Sequence, residues 1–342
     1  MRRFLPILVV GAWAVACLIV LLWCYKVATF YKCEAEDIFY AYSEGRSILE
    51  GKNPYSRIHD SDMLTNAKYA TYLPGAYLLS AAAQHAGLTK FSRWLRYWRK
   101  VLFMCHVGIA ALLFIEIFGL TRSLGACMLA CTIWLFNRWS LFVERVSHLD
   151  HLPLLLFMLG LTLRRRYAKT AWIFYGMSLA IKQMAVFAVP ILLIEAWIAA
   201  PRDRRVKEML KCVAFLAVVP VAVSLPFLVA DAPALVKSVM FSVTRQPNQH
   251  LSAAALLDSM GFTGAITRLP LFVMLAATYA LFWTRRITFY PALCLQFVLF
   301  LYFNPVLYRQ YFLWPVPFVL LTIFSVVPVR TTALETPRPT AA

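Results

Sequence analysis

Along this chain, apolar runs of about 15–25 residues, a length suited to crossing a bilayer core, alternate with short polar clusters from Phe4 to Val327. The first run, residues 4–29, suffices for a complete span. Residues 31–71 then form the longest polar stretch, and a helix is expected to begin near Ile38 within it. Further apolar runs cover residues 73–89, 101–120, 150–163, 170–181, 184–199, 213–229, the stretch before Arg285, 289–303 and 311–327. Residues 124–148 are interrupted at Asn137-Arg138, which predicts two short helices in a hairpin. The pattern therefore predicts an all-α polytopic membrane protein with about twelve transmembrane or half-spanning helices. It forms one domain over residues 1–330, with short amphipathic helices in a first extracytoplasmic loop (31–72) and a short disordered tail at 331–342.

The polar clusters orient this pattern. Arg2 and Arg3 keep the N-terminus in the cytoplasm, so the first span runs outward and the loop after it is extracytoplasmic. Lys90, Arg93, Arg96, Arg99 and Lys100 read as a cytoplasmic cluster after a second span, as do Arg164–Arg166, the group from Arg202 to Lys211, Arg285-Arg286 and Arg330. A segment from Asp231 to Gly261 is expected as an outer loop, and both termini lie inside. Composition agrees: hydrophobic residues make up 61% and mean hydropathy is +0.68. The net charge of +18 is spread in short clusters between spans, which argues against nucleic acid and for a lipid bilayer as partner. Eight cysteines lie almost all in apolar runs without metal-type spacing and read as small hydrophobes. Short loops suit a bacterial inner membrane.

Several polar residues then stand out, because charges inside or at the ends of spans are costly and usually have partners or a task. Asp37, Arg46, His148, Asp150, Lys182, Gln183, Arg309 and Gln310 all fall on the outer side in this topology. Each has a plainer reading beside the functional one. Asp37 suits a helix cap, and Lys182 a snorkelling lysine. Arg309 suits an anchor between Tyr308 and Tyr311, and His148, Asp150 and His151 a simple helix start ahead of Pro153. Arg46 is placed to pair with Glu50 at i+4. The stretch from Gly51 to Tyr55 is first a turn, with Tyr55 also able to stack on a sugar.

Four stretches in order carry a resemblance. They are Glu36-Asp37-x-x-Tyr40 with Gly45-Arg46 and Gly51-Lys52-Asn53-Pro54-Tyr55; Tyr72-Leu73-Pro74; His148-Leu149-Asp150 followed by Arg164–Arg166 and Lys182-Gln183; and Asn304-Pro305-x-x-Tyr308-Arg309-Gln310. Together they resemble the membrane glycosyltransferases of the C-type (GT-C) fold, most of all the bacterial polyprenyl-phosphate-mannose-dependent type. Where that family commonly has Gly-Gln-x-Asp, this chain has Ser147-His148-Leu149-Asp150, and Tyr-x-Pro-Pro is Tyr72-Leu73-Pro74-Gly75.

The resemblance implies a GT-C-like bundle that transfers a sugar, mannose by default, from a polyprenyl-phosphate donor to a hydroxyl of a glycolipid or glycan acceptor outside the cytoplasm. Asp37 is then the candidate general base of an inverting transfer. Lys182, Arg309 and His148 are candidates to bind the donor phosphate. Glu36, Arg46, Tyr55, Tyr72, Asp150, Gln183, Tyr308 and Gln310 are the candidate substrate contacts. Glu34, Glu36 and Asp37 are oxygen donors of the kind that hold Mg²⁺ or Mn²⁺, but a lipid-phosphate donor needs less charge neutralisation than a nucleotide diphosphate. No metal or other cofactor is expected. The competing class is a polytopic transporter or lipid flippase.

Overall fold

A computed structural model of the chain describes residues 5–34, 36–61, 69–244, 256–257, 259–262, 264–303 and 307–326. All regular structure among them is helical. Five helices are long and apolar enough to cross a membrane, or six if one bent pair counts as a single span. The protein is thus an all-α membrane protein. Its lipid-facing surface is explicit on α1 (Leu5–Ala28), where Ile7, Leu8, Ile19 and Trp23 are exposed, and on α10 (Arg205–Thr244), where Leu210, Val218, Leu225 and Val229 are. Such continuous apolar exposure suits lipid and not water.

The remaining helices are α2 (Asp37–Leu49), α3 (Gly75–His85), α4 (Phe91–Thr121), α5 (Leu124–Phe136), α6 (Arg138–Val146), α7 (His151–Leu163), α8 (Ala168–Ile181), α9 (Val189–Ala199), α11 (Leu269–Trp283), α12 (Phe289–Phe303) and α13 (Pro315–Val326). Without a hydrophobic force between spans, packing and buried hydrogen bonds join them. Trp13 Nε1 donates to Thr132 Oγ1 at 3.0 Å between α1 and α5, and Ser178 Oγ to the Pro153 carbonyl at 2.8 Å between α8 and α7. In the central core Phe297 and Phe318 stack 4.6 Å apart, and Phe157 meets both edge-on.

The bundle has two polar ends. At one, Arg164 after α7 lies 3.8 Å from Glu116 of α4 and 3.7 Å from Glu195 of α9, while Tyr290 at the start of α12 donates to Glu116 at 2.6 Å. The other end gathers the residues after α1, the start of α4, the α6–α7 elbow, Lys182 and the 3₁₀ turn Arg309–Leu313.

This arrangement corrects three expectations. Residues 73–89 do not cross: α3 has only 11 residues, roughly 16 Å of helix at 1.5 Å per residue and about half a bilayer core. Its small residues instead bed it on its neighbours. A Cβ on Gly45 of α2 would fall 2.5 Å from Ser80 Oγ, and one on Gly75 2.5 Å from the Ala180 carbonyl of α8. Consequently the cluster Lys90–Lys100 does not lie at the end of the molecule opposite the first loop. Arg99 is buried and donates to the carbonyls of Thr29 and Tyr31 at 3.0 and 2.6 Å, so the amino-terminal turns of α4 sit beside the end of α1. Finally, residues 124–148 form no hairpin. The bend between α5 and α6 is 43°, far short of a reversal, and Asn137 caps α6 through the amides of Trp139 and Ser140. Among the described residues five helices, or six, are long enough to cross, and the other apolar helices are shorter than a full span.

Helix α10 continues past the expected end of its span at residue 229, across a non-helical break at Asp231, whose carboxylate accepts from Ala234 N and meets His59 Nε2 at 2.7 Å. The second half of α10 packs Ala234, Leu235 and Phe241 over Tyr55 and Ile58 of the loop region and Tyr77 of α3. Arg2, Arg3, Asn304-Pro305, Arg330, the tail 331–342 and residues 245–255 and 258 of the expected loop between Asp231 and Gly261 lie outside the described residues.

Candidate functional site

Helix α2 begins at Asp37 with Glu36 in the N-cap position. Both carboxylates therefore stand at a helix N-terminus, where the dipole favours negative charge. The cap position belongs to Glu36 and not to Asp37, which leaves Asp37 to face its neighbours. Tyr72 OH donates to Asp37 Oδ2 at 3.3 Å, Gln310 Nε2 reaches the same oxygen at 3.4 Å, and His148 Nδ1 stands 3.5 Å from it. Groups 35, 111 and 273 positions away in sequence converge on one carboxylate oxygen.

Glu36 completes the cluster. It accepts from Tyr31 OH at 2.8 Å and lies 3.6 Å from His148 Nε2. The His148 ring and the Tyr31 hydroxyl hold its carboxyl below the usual carboxylate range. Exposure differs usefully here: the Asp37 and Glu36 side chains keep 27% and 24% of their surface, against 6% for His148. The acids can be reached from outside while the imidazole between them is embedded. Such an arrangement can accept a proton at Asp37 and hold the acceptor of that proton in one orientation.

His148 is placed by the elbow between α6 and α7. Ser147 adopts a left-handed conformation (φ 57°) that ends α6, and its hydroxyl accepts from Arg99 Nε at 3.0 Å. Two residues after His148, Asp150 is fully buried, with both oxygens 2.8 Å from Lys182 Nζ and a further 2.8 Å bond from Trp314 Nε1. Lys182 Nζ also lies 5.1 Å from the Tyr72 ring centre and 5.5 Å from that of Tyr311. Gln183 donates to the Thr71 carbonyl at 2.7 Å and so fixes the backbone beside Tyr72.

Several predicted site residues take other places. Lys182 is not a cation awaiting a phosphate: it is 3% exposed and its charge is matched by Asp150, so it braces the site from behind. Arg46 is exposed and pairs with Glu50 at 3.1 Å, as its i+4 spacing allows. Tyr55 is fully buried between the rings of Tyr77 and Phe227, with its hydroxyl on the Tyr72 carbonyl at 2.9 Å, and presents no face to a sugar. Arg309 is exposed beside buried Gln310, and Tyr308 packs on Tyr311 at 5.7 Å.

Sequence reasoning missed Tyr31, Arg99 and Trp314, since an aromatic at a span end and an arginine in a basic cluster give no local signal of a long-range partner. A separate cavity of about 380 Å³ at the opposite end is lined by Arg164, Trp172, Tyr175, Glu195 and Glu208 among others, and includes none of the residues around Asp37. Compared with protein-family models, curated proteins and solved structures, the chain finds no match in any of the three.

Proposed function

We propose that the chain is a membrane glycosyltransferase that moves a sugar from a polyprenyl-phosphate donor to a hydroxyl of a glycolipid or glycan acceptor, with Asp37 as general base. The observation that carries this reading is the convergence of Tyr72, His148 and Gln310 on one partly exposed carboxylate at the end of the first span. A lipid donor keeps its chain in the bilayer while its phosphate meets water, and a site at the ends of spans suits that geometry. In the proposed step the acceptor hydroxyl gives its proton to Asp37 as its oxygen bonds to C1 of the sugar. The C1–O bond to phosphate breaks with its electron pair on the phosphate, and attack from the opposite face inverts C1. Tyr72 and Gln310 orient the base, and His148 holds Glu36 and Asp37 in one geometry. With Lys182 matched by Asp150, the charge on the leaving phosphate falls to Arg309.

Orientation belongs to the same proposal. The connections at the end opposite Asp37 each carry basic residues: Arg122; Arg164–Arg166 with Lys169; Arg202, Arg204 and Arg205; and Arg285-Arg286. The short elbow Ser147–Asp150 carries no Lys or Arg. The start of α4 at the Asp37 end also carries Lys90, Arg93, Arg96, Arg99 and Lys100, so charge alone does not choose between the faces; we put Asp37 on the extracytoplasmic face because that is where a lipid-phosphate donor is used, and a bacterial inner membrane suits the short connections.

The test is transfer from radiolabelled polyprenyl-phosphate mannose by wild type and Asp37→Asn in proteoliposomes. The variant should lose roughly 10²–10⁴ in rate, the usual contribution of a positioned base, and keep its fold. Near-normal transfer by a well-folded variant would overturn the assignment. A transporter or flippase is the second reading, favoured by His106, Glu144 and His151, three ionisable side chains buried together within the bundle. Lipid-phosphate sugar crossing the bilayer without transfer would select it.

A further inference from the structure

His106 of α4, Glu144 of α6 and His151 of α7 form a second cluster, separate from the groups that touch Asp37. They are 0%, 4% and 0% exposed. Glu144 Oε2 lies 3.8 Å from His106 Nδ1 and 3.8 Å from His151 Nδ1, and the two rings stack with centres 4.7 Å apart. Taking one ligand atom from each residue, all three lie within 4.8 Å of one another. Trp134 walls the cluster edge-on, 5.6 Å from the His106 ring and 6.1 Å from that of His151.

The hydrogen-bond accounting is what makes this cluster unusual. Neither nitrogen of His106, neither nitrogen of His151, nor Glu144 Oε2 has a hydrogen-bond partner among the described residues. Buried polar atoms are almost always satisfied, and each orphan is costly. Here the orphans belong to three neighbouring side chains and face each other beyond hydrogen-bond reach but near metal-ligand spacing. Ligands about 2.0–2.1 Å from one tetrahedral ion stand about 3.4 Å apart, so the two 3.8 Å separations need to close by about 0.4 Å and the longest by up to about 1.4 Å, within the reach of side-chain rotation. Two imidazoles and a carboxylate are the donor set of zinc and of related divalent transition metals.

We propose that His106, Glu144 and His151 bind one divalent transition-metal ion, tying α4, α6 and α7 together beneath the elbow that carries His148 and Asp150. The ion would be structural, since the cluster is closed to solvent, and its role is to position the elbow that Arg99 braces from the other side. The inference does not rest on the transferase reading.

The test uses the full chain, purified in nanodiscs through an affinity tag free of histidine, with Zn²⁺ and Co²⁺ as probes. Wild type and His148→Asn should each hold about one equivalent of Zn²⁺ by mass spectrometry after removal of free metal. Glu144→Gln and the double variant His106→Gln/His151→Gln should hold little. If those variants fail to fold, Co²⁺ loaded into wild type decides by itself: tetrahedral d–d bands without a thiolate charge-transfer band support the site. Wild type without stoichiometric metal, a thiolate band, or full metal retained by the folded double variant would overturn it.

Discussion

The replacement Lys182→Met tests whether Lys182 is a structural partner or a phosphate ligand. Methionine keeps the length and apolar stem while deleting the ammonium. Asp150, with no exposed side-chain surface, would keep the Trp314 Nε1 bond at 2.8 Å but lose its matching charge. Removing one partner of a buried pair costs about 3–5 kcal/mol because a charge stays behind unmatched. The double variant Lys182→Met/Asp150→Leu removes that charge and leaves an unpaired Trp314 N–H, a penalty of about 1–3 kcal/mol. The double should therefore be more stable than the single by about 2 kcal/mol. Apparent melting midpoints of the solubilised proteins, compared at one heating rate, give the order wild type, double, single. A single variant that melts with wild type, or a double that is worse than the single, would refute the account and return Lys182 to the role of donor ligand.

Other outcomes follow from the same geometry. Cysteines placed at Lys52, Arg93, Arg165 and Arg286, all exposed, should label from one side at 52 and 93 and from the other at 165 and 286; labelling of 93 together with 165 would undo the placement of α4. Gly45→Val should destabilise by about 1–3 kcal/mol through overpacking against Ser80, read as a lower melting midpoint. Glu36, held below the ordinary carboxylate value by His148 and Tyr31, is more easily ionised folded than unfolded. Its contribution is present above about pH 4.3 and lost as pH falls through the lowered folded value, so Glu36→Gln should flatten the acid limb of a stability profile, and an unchanged limb would contradict the contact. Tyr72→Phe removes one hydrogen bond to Asp37 and should cost about 0.5–1.5 kcal/mol in transition-state stabilisation if Asp37 is the base, measured as transfer rate at fixed donor.

Much was written in the chain itself. Apolar runs longer than a soluble core requires mark α1, α4 and α10 as membrane helices, because no neighbour could cover all their faces. The sequence also singled out Asp37, His148, Asp150, Lys182, Gln183 and Gln310, since polar groups at span ends are costly wherever they end up. What it left open was which of them meet. Residues 73–89 are apolar enough to be taken for a span, but Gly45 and Gly75 let α3 lie close on α2 and α8, and that packing keeps the chain on one side until α4. The reversal of α4 follows, and with it the position of Arg99. Lys182 looks like a free cation in one dimension and becomes half of a buried pair only when α7 and α8 bring Asp150 within 2.8 Å. His106, Glu144 and His151 show no motif, because residues on three helices share a site through packing and not through spacing. Hydropathy marked the longest membrane helices; which shorter apolar runs cross, and how the few polar groups pair, was decided by tertiary contacts, where desolvation makes each unpaired charge intolerable.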